Sequence, residues 1–242
     1  MTFDPNNPEY WLEESLLSEE RRIFDICHGC RLCFNMCPSF PALFNVTDKV
    51  GGHLSQANGD DFRETEELCF QCKLCYVRCP YTPPHEYSLD FPRVMMRAKL
   101  VHSKTEGVSW QDKLLGETEL VGKLGSITAP LSNIGNTLPP NRIAMQAIIG
   151  IHKKAELPRF HRQTFTNWFK KYKKSKPTQT QSKRKSAFFH TCFVNYNDPE
   201  IGKACVKVLE KNGIEAMVPD QKCCGMPFLD GGMTEKALDK IE

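Results

Sequence analysis

CHGCRLCFNMCP, residues 27–38, returns in its cysteine spacing as CFQCKLCYVRCP, residues 69–80. Both stretches follow the pattern C-x2-C-x2-C-x3-C-P. Eight of the twelve cysteines in the chain therefore lie between residues 27 and 79. A density of this kind indicates either a set of disulfides or a metal site.

The N-terminal stretch favours metal over disulfides. MTFDPNNPEYWLEESLL, residues 1–17, has no basic region followed by an apolar run, so it is not a secretory signal. Thiols in a reducing compartment are more often metal ligands than disulfide partners. Zinc is the simpler alternative, but zinc sites use two C-x2-C pairs separated by a longer stretch, and two unbroken four-cysteine runs ending in proline do not suit it.

The repeated spacing predicts two [4Fe–4S] clusters. In this pattern the first three cysteines hold one cluster, and the fourth, followed by proline, belongs to the other cluster. The motif must therefore occur in pairs, each completing the other. The predicted ligand sets are Cys27, Cys30, Cys33 and Cys79 for one cluster, and Cys69, Cys72, Cys75 and Cys37 for the other.

Composition excludes several other classes of protein. The 242 residues are 40% hydrophobic and carry a net charge of +3, which argues against a disordered chain and against a nucleic-acid-binding protein. The longest uncharged stretch, residues 124–141, contains three prolines and many polar residues. It lacks the ~20 apolar residues of a membrane-spanning helix.

Local patterns predict helices around both motifs. We expect helices over residues 9–26, with its acidic side chains in solvent, over residues 60–68, and from Pro92 onward with Val94, Met95, Ala98 and Val101 buried. The connection between the motifs, residues 38–68, is long for a small β-rich ferredoxin. The spacing therefore favours the all-helical kind of two-cluster domain.

The chain changes character after a basic run. Residues 170–185 hold eight Lys or Arg and no acid, which is typical of a linker. The patterns that follow predict a strand over 186–190, a helix from Asp198 to Gly213 and a strand over 213–219. The predicted apolar face of the helix consists of Ile201, Ala204, Cys205, Val208 and Leu209. This order predicts a βαβ unit and the start of a parallel α/β domain.

Four segments result from these patterns. They are a helical ferredoxin domain over residues 1–102, a helical connecting region over 103–169, the basic linker over 170–185, and a partial α/β domain over 186–242. The predicted fold class is α+β multidomain.

A second cysteine group follows the two strands. Cys192 comes after the first strand, and Cys223 and Cys224 come after the second. Because ligand sites in open α/β sheets lie beyond the carboxyl ends of the strands, we expect these three thiols to converge. Cys205 lies on a helix and is interpreted as a buried structural thiol.

The sequence at this point resembles a known family. Cys192, thirty residues, and then Cys223-Cys224-Gly225 are similar to the CCG motif. Together with DICHGCRLCFNMCPSF, HEYSLDFPRVMMRAK and HTCFVNYNDPEIGK, they resemble the CCG-type iron–sulfur subunits of heterodisulfide reductases and of respiratory dehydrogenases, a group that includes the iron–sulfur subunit of anaerobic glycerol-3-phosphate dehydrogenase.

The resemblance implies an electron-transfer subunit with no catalytic residue of its own. It would take electrons from a flavoprotein dehydrogenase of the glycerol-3-phosphate or 2-hydroxy-acid type and pass them toward quinone or a membrane-anchored acceptor. It implies a cytoplasmic protein at the inner face of the membrane, in peripheral contact with it. The alternatives are a heterodisulfide-reductase-like catalytic subunit and a redox-sensing module with a structural cluster.

The chain departs from the family in one respect. The CCG motif of the family continues to a C-x-x-C further along, whereas this sequence stops at Glu242 within a helical pattern. We therefore expect a C-terminally truncated form in which Cys192, Cys223 and Cys224 are candidate ligands of an additional iron–sulfur centre whose ligand set is incomplete.

Overall fold

A computed structural model of the protein describes residues 3–175 and 184–241, and helices dominate it. The elements in chain order are α1 (Glu13–Cys30), α2 (Ser39–Lys49), α3 (Gly59–Glu67), α4 (Leu74–Arg78), α5 (Phe91–Glu106), α6 (Trp110–Gly116), α7 (Thr118–Thr128), α8 (Leu131–Gly135), α9 (Pro139–Ile149), α10 (Phe165–Ser175), β1 (Arg184–Ala187), α11 (Cys192–Tyr196), α12 (Pro199–Lys211), β2 (Ile214–Met217), α13 (Met226–Asp230) and α14 (Thr234–Leu238). The architecture is α+β and multidomain, as predicted.

The described residues form two compact units. The first contains the residues up to Ser109 together with Phe228–Lys236. The second contains Trp110–Pro227 and the residues after Lys236. No helix among the described residues is long and apolar enough to cross a membrane.

Buried aromatic rings form the core of the first unit. Phe24 of α1 meets Phe62 of α3 edge-on, with ring centroids 4.8 Å apart, and Phe40 of α2 stacks on Phe91 of α5 at 4.7 Å. All four rings are at most 2% exposed. Truncating such a ring to alanine costs about 3–5 kcal/mol, so these contacts hold the four helices together.

Helices α3 and α5 form close to their predicted positions, whereas α1 begins and ends four residues later than predicted. Asn58 and Asp61 make a reciprocal capping box at the start of α3, and Asp90 caps α5 by accepting a hydrogen bond from the N–H of Arg93. The predicted buried stripe of α5 is confirmed, since Val94, Met95, Ala98 and Val101 are fully buried.

The expectation that the acidic residues of α1 lie in solvent holds for Glu13, Glu14 and Asp25, which are exposed, and was wrong for Glu19 and Glu20. Glu19 and Glu20 are 7% and 1% exposed, because α1 is surrounded by other helices on that side. Glu19 forms an ion pair with Arg22 at 2.9 Å. Glu20 instead meets Glu66 of α3, another buried carboxyl group.

The second unit contains the predicted parallel pair of strands. β1 and β2 pair in parallel, with Arg184 opposite Ile214 and Ala187 opposite Met217. The first strand lies earlier than predicted, although the N–H of Phe188 still donates to the carbonyl of Met217 at 2.8 Å. The connection between the strands contains α11 as well as the predicted α12.

The predicted buried face of α12 was wrong by one residue of rotation, about 100° around the helix. Ile201 and Val208 are 44% and 59% exposed, whereas Gly202 and Val206 are buried. Gly202 faces the ring of Phe165 on α10, and a Cβ atom there would lie 2.5 Å from that ring. This close helix contact sets the rotation and leaves Cys205 half-buried rather than buried.

Helix α10 includes the first residues of the predicted linker. Residues 170–175 are helical because Phe165, Trp168, Phe169 and Tyr172 share one face of α10 in a run of ring contacts. Residues 176–183 of the predicted linker lie outside the described residues.

Residues after the second cysteine group complete the first unit. Phe228 and Met233 are buried, the hydroxyl of Ser103 on α5 donates to the carbonyl of Gly232 at 2.8 Å, and Lys99 pairs with Asp230 at 2.7 Å. Gly232 has a positive φ of +74°, and a Cβ atom there would lie 2.6 Å from Ser103. Glycine therefore permits this contact with α5.

Candidate metal centres

The first cysteine motif begins in a helix. Cys27 and Cys30 lie in the last turn of α1, which ends at Arg31 in the left-handed conformation, with φ +52°. The N–H of Arg31 donates to the carbonyl of Cys27 at 2.8 Å. This reversal turns the chain so that Cys33 follows in a turn instead of continuing along the helix.

The second motif reaches a similar turn from a loop. Cys69 follows α3, Gln71 and Lys73 both have positive φ values of 55° and 59°, and Lys73 leads into α4. Lys73 and Arg31 occupy the same slot of the two motifs, directly after the second cysteine. A left-handed residue that is not glycine costs about 1–2 kcal/mol, so the reversal is imposed by its surroundings.

The two motifs contribute to one cavity. Its cysteines are Cys27, Cys30 and Cys33 of the first motif and Cys79 of the second, the combination that the spacing predicts. Apolar side chains close the rest of the wall: Ile26, Leu32, Phe40, Phe44, Pro80, Tyr81 and Leu89.

The other set lies close by. Burial is the main cause that raises the pKa of Cys69 and of Cys75, and the nearby sulfur of Cys37 adds to both rises. The sulfur of Cys72 adds to the rise at Cys75. Cys33 likewise interacts with Cys79 and Cys37. The eight motif cysteines therefore form one continuous thiol-rich region.

Burial disfavours the ionisation of four of these thiols, those of Cys27, Cys33, Cys69 and Cys75. It raises the pKa of Cys75 to about 12, with neighbouring sulfurs adding to the effect, and it also raises the pKa of Cys27. A bound cationic centre reverses this preference, because metal ligation deprotonates a thiol outright. Eight gathered thiols, four of which line an apolar cavity, fit the donor set of iron–sulfur clusters. Across the described ranges, no three His, Cys, Asp or Glu side chains are placed to hold a single metal ion.

Two polar groups contact Cys69. The side-chain amide of Gln71 lies 3.6 Å from its sulfur, and the ammonium group of Lys99 donates to its carbonyl at 2.8 Å. Sequence reasoning named neither residue. Gln71 was visible inside the motif, but the position of Lys99, on α5, depends on how α5 packs.

The second cysteine group lies beyond the ends of the two strands. Cys192 is the first residue of α11, and Cys223 follows the loop after β2. Both line a cavity of about 200 Å³, together with His190 and Tyr196. The exposed Cys224 lines an adjacent cavity with Cys223, so the structure brings two of the three predicted thiols together.

Helix α7 supplies two side chains to this group. The hydroxyl of Thr118 lies 3.7 Å from the sulfur of Cys223, and Glu119 accepts a hydrogen bond from the N–H of Cys223 at 2.9 Å. Lys240 in turn donates to Glu119 at 2.5 Å. Sequence reasoning found no chemistry in this region, and nothing in the local pattern of α7 marks these two residues.

Burial in this cavity disfavours the charged forms of Cys192 and His190. Burial raises the pKa of Cys192, while a hydrogen bond from Thr118 opposes that rise. Burial also lowers the pKa of His190, so its imidazole is neutral near pH 7. Neutral imidazole and thiol groups are ligands for soft metal centres, which is chemistry this site can support once its thiols are deprotonated.

Family models match both cysteine-rich parts of the chain. The model described as citrate utilization protein B Fer4-like domain matches residues 20–105, and the cysteine-rich CCG domain matches residues 186–241. Together they cover more than half of the sequence. The fold and these two domains define an iron–sulfur protein with a Fer4-like domain followed by a CCG domain.

The chain resembles CCG-type iron–sulfur subunits in both of these domains. It is 35% identical over 145 residues to the C subunit of anaerobic glycerol-3-phosphate dehydrogenase from Escherichia coli (strain K12), an alignment that covers 60% of this chain and 36% of the relative. The chain thus spans about a third of the length of that relative. No solved structure matches it significantly.

Shorter matches reach other relatives. The chain is 41% identical over 56 residues to the B subunit of the fumarate reductase (CoM/CoB) from Methanothermobacter marburgensis, covering 23% of this chain and 12% of the relative. It is 41% identical over 51 residues to lactate utilization protein A of Bacillus pumilus, covering 21% of each.

Proposed function

We propose that the protein is an electron-transfer subunit that holds two [4Fe–4S] clusters in its first unit. The observation that carries this proposal is the cavity lined by three cysteines of the first motif and by Cys79 of the second. Shared ligation of this kind brings two clusters close together. One cluster is enough to stabilise a small domain, so a closely spaced pair favours electron relay over a structural role.

The chain's own residues would hold and shield these centres. When bound, a [4Fe–4S] cluster supplies one-electron uptake and release. The rings of Phe40 and Phe44 and the side chain of Leu89 exclude water from the cavity, and the ammonium group of Lys99 adds positive charge beside Cys69. Burial and nearby charge are two of the means by which a protein sets the potential of a cluster.

We further propose the division of labour implied by the segments. Residues 1–102 would carry the two clusters, and residues 186–242 would form part of a CCG domain. Residues 103–169 and the linker, residues 170–185, would connect these two parts. The names of the relatives support a dehydrogenase of glycerol 3-phosphate or of a 2-hydroxy acid such as lactate as the electron donor. That this donor is a flavoprotein is what the family resemblance implies. The acceptor would be quinone or a membrane-anchored protein.

A second candidate is a heterodisulfide-reductase-like catalytic subunit. The cavity of about 200 Å³ beside Cys192 and Cys223 favours it, since a small disulfide substrate needs room next to reactive sulfur. This candidate requires a further centre at the CCG cysteines. The relay proposal does not require that centre.

Peripheral contact with the cytoplasmic face of a membrane is also proposed. Helices α6–α9 expose an unusual number of large apolar side chains: Trp110, Leu120, Leu124, Ile127, Leu131, Ile134, Ile143 and Ile148. Such a surface suits an interfacial position. Flotation with phosphatidylglycerol-containing vesicles tests it. Ile127→Ser with Leu131→Ser should reduce binding, and Ile201→Ser with Val208→Ser on α12 is the matched control.

The main proposal is tested by anaerobic purification followed by iron and acid-labile sulfide analysis and EPR after reduction. We expect about eight irons per chain and the spectrum of two interacting clusters. About four additional irons would indicate a third centre at Cys192, Cys223 and Cys224, which favours the catalytic candidate. Zinc without sulfide would contradict both candidates. Cys205→Ser, outside every proposed ligand set, is the control for loss of iron.

A further inference from the structure

Two of the eight motif cysteines reach the protein surface. Cys30 and Cys72 are exposed, whereas the other six are buried or half-buried. Both occupy the second position of their motif, and both precede a basic residue in the left-handed conformation, Arg31 or Lys73. Electron exchange with another protein falls steeply with distance, so these two surfaces are where a partner can approach.

On the surface beside Cys30 the cation and its aromatic neighbours contact one another within the chain, although Leu32 and Phe34 are 55% and 47% exposed. Arg31 forms an ion pair with Asp48 at 2.6 Å, and its guanidinium group lies 4.9 Å from the centre of the Phe44 ring. Phe34 stacks on the same ring at 6.0 Å. The cation and the aromatic ring here already have partners.

The surface beside Cys72 differs. Phe70, Leu74 and Val77 are 66%, 57% and 80% exposed, and Lys73 and Arg78 are exposed among them. The motif, residues 69–79, contains no acidic residue. Within the described ranges, neither Lys73 nor Arg78 forms an ion pair. We call these five residues the 70–78 face.

We propose that the 70–78 face is the docking site of the flavoprotein that donates electrons to this chain, and that the contact surface of this donor is apolar with an acidic rim. The proposal rests on the proposed electron-transfer function and gives the contact surface of its donor. Exposed aromatic and aliphatic groups at the centre of a contact supply burial, while unpaired cations beside them select and steer an acidic partner. Docking there brings the partner's flavin to Cys72, the exposed motif cysteine of this face.

The test uses the holoprotein and reduced flavodoxin, an acidic flavoprotein, as the probe. Stopped-flow absorbance follows the transfer of one electron from the reduced flavin to the chain. We expect a second-order rate constant that falls about tenfold or more between low and high salt. Lys73→Glu with Arg78→Glu should lower it about tenfold at low salt, and Val77→Asp should lower it at all salt concentrations.

Lys49→Glu with Lys104→Glu is the matched control. It makes the same change in net charge at two exposed lysines outside the cysteine motifs, and it should change the rate less than about threefold. Equal effects of the two double variants, or no effect of either, would overturn the docking proposal.

Two further measurements separate the docking proposal from the proposed electron-transfer function. Iron content and reduction by dithionite should be unchanged in every variant, and absence of clusters from the unmodified chain would instead defeat the electron-transfer function. Binding to phosphatidylserine vesicles tests a lipid surface as the alternative occupant. If the Lys73 and Arg78 variant loses vesicle binding but keeps its rate with flavodoxin, the face binds lipid and the proposal is wrong.

Discussion

Lys99 donates a hydrogen bond from its ammonium group to the backbone carbonyl of Cys69, at 2.8 Å. The same group pairs with Asp230 at 2.7 Å and is only 15% exposed. A partly buried cation is therefore held beside a predicted cluster ligand by a residue 131 positions further along the chain.

Replacing this cation should make the reduction potential of the proposed cluster at Cys69 more negative. Lys99→Met removes a positive charge that favours the reduced, more negative cluster, and it leaves Asp230 unpaired in the same place. We expect a shift on the order of 20–50 mV, reduced from the full Coulomb value by the presence of Asp230. Redox titration followed by EPR measures it. Lys104→Met, at an exposed lysine of the same helix, should shift neither potential, and an unchanged potential in Lys99→Met would contradict the prediction.

Single substitutions test whether each motif supplies one cysteine ligand to the cluster of the other motif. Cys79→Ser should perturb the centre held by Cys27, Cys30 and Cys33, although Cys79 belongs to the other motif, because it lines their cavity. We expect loss or altered EPR of one centre with retention of the other. Cys37→Ser should affect the opposite centre. If each substitution instead disturbs the centre of its own motif, the proposed ligand sets are wrong.

Thr118 should control the reactivity of the second cysteine group. Its hydroxyl opposes the effect of burial on Cys192, so Thr118→Val should raise the pKa of that thiol further. Because the thiolate is the nucleophile, we expect alkylation of Cys192 by iodoacetamide at pH 8 to slow about two- to tenfold in the metal-free chain. Peptide mass spectrometry measures the rate. Thr128→Val on the same helix is the control, and equal slowing in both variants would assign the effect to the helix rather than to the hydroxyl.

The buried Glu20 should make stability depend on pH. Burial is the main cause that raises its pKa well above the ordinary value, and Glu66 adds to the rise, while Arg97 and Arg63 oppose it. The carboxyl of Glu66 also lies 2.8 Å from the imidazole of His102. A carboxyl with a raised pKa in the folded state stabilises the fold fully below its unfolded pKa, and that contribution is lost as pH rises through the folded pKa.

Glu20→Gln should therefore stabilise the protein at neutral and alkaline pH and flatten this dependence. We expect a gain of about 1–3 kcal/mol, since the amide removes the cost of ionising a buried carboxyl. Glu19→Gln should instead destabilise the protein, because both carboxylate oxygens of Glu19 accept hydrogen bonds from the guanidinium group of Arg22 at 2.9 Å. Thermal unfolding of the holoprotein at several pH values measures both. A lower stability of Glu20→Gln at pH 8 would refute the assignment.

Much of the chain was predictable because its signals are local. The buried stripe of α5 and the parallel order of β1 and β2 follow from patterns within one segment. The buried face of α12 was not predictable in the same way. The sequence of that helix is compatible with more than one buried apolar face. Gly202 decides which face is buried, because only glycine lets the ring of Phe165 approach the helix backbone so closely. A count of apolar side chains does not detect this, since glycine has none.

The sequence by itself determined which thiols are candidate ligands, because the spacing of C-x2-C-x2-C-x3-C-P lies within a single short segment. Its repetition predicts that the two segments work as a pair. The tertiary structure alone decided what surrounds those thiols. Lys99 beside Cys69, Thr118 and Glu119 beside Cys223, and Glu20 against Glu66 join residues that lie far apart in the chain. Such contacts depend on how helices are rotated and packed against one another, and no periodicity within a single helix specifies that rotation.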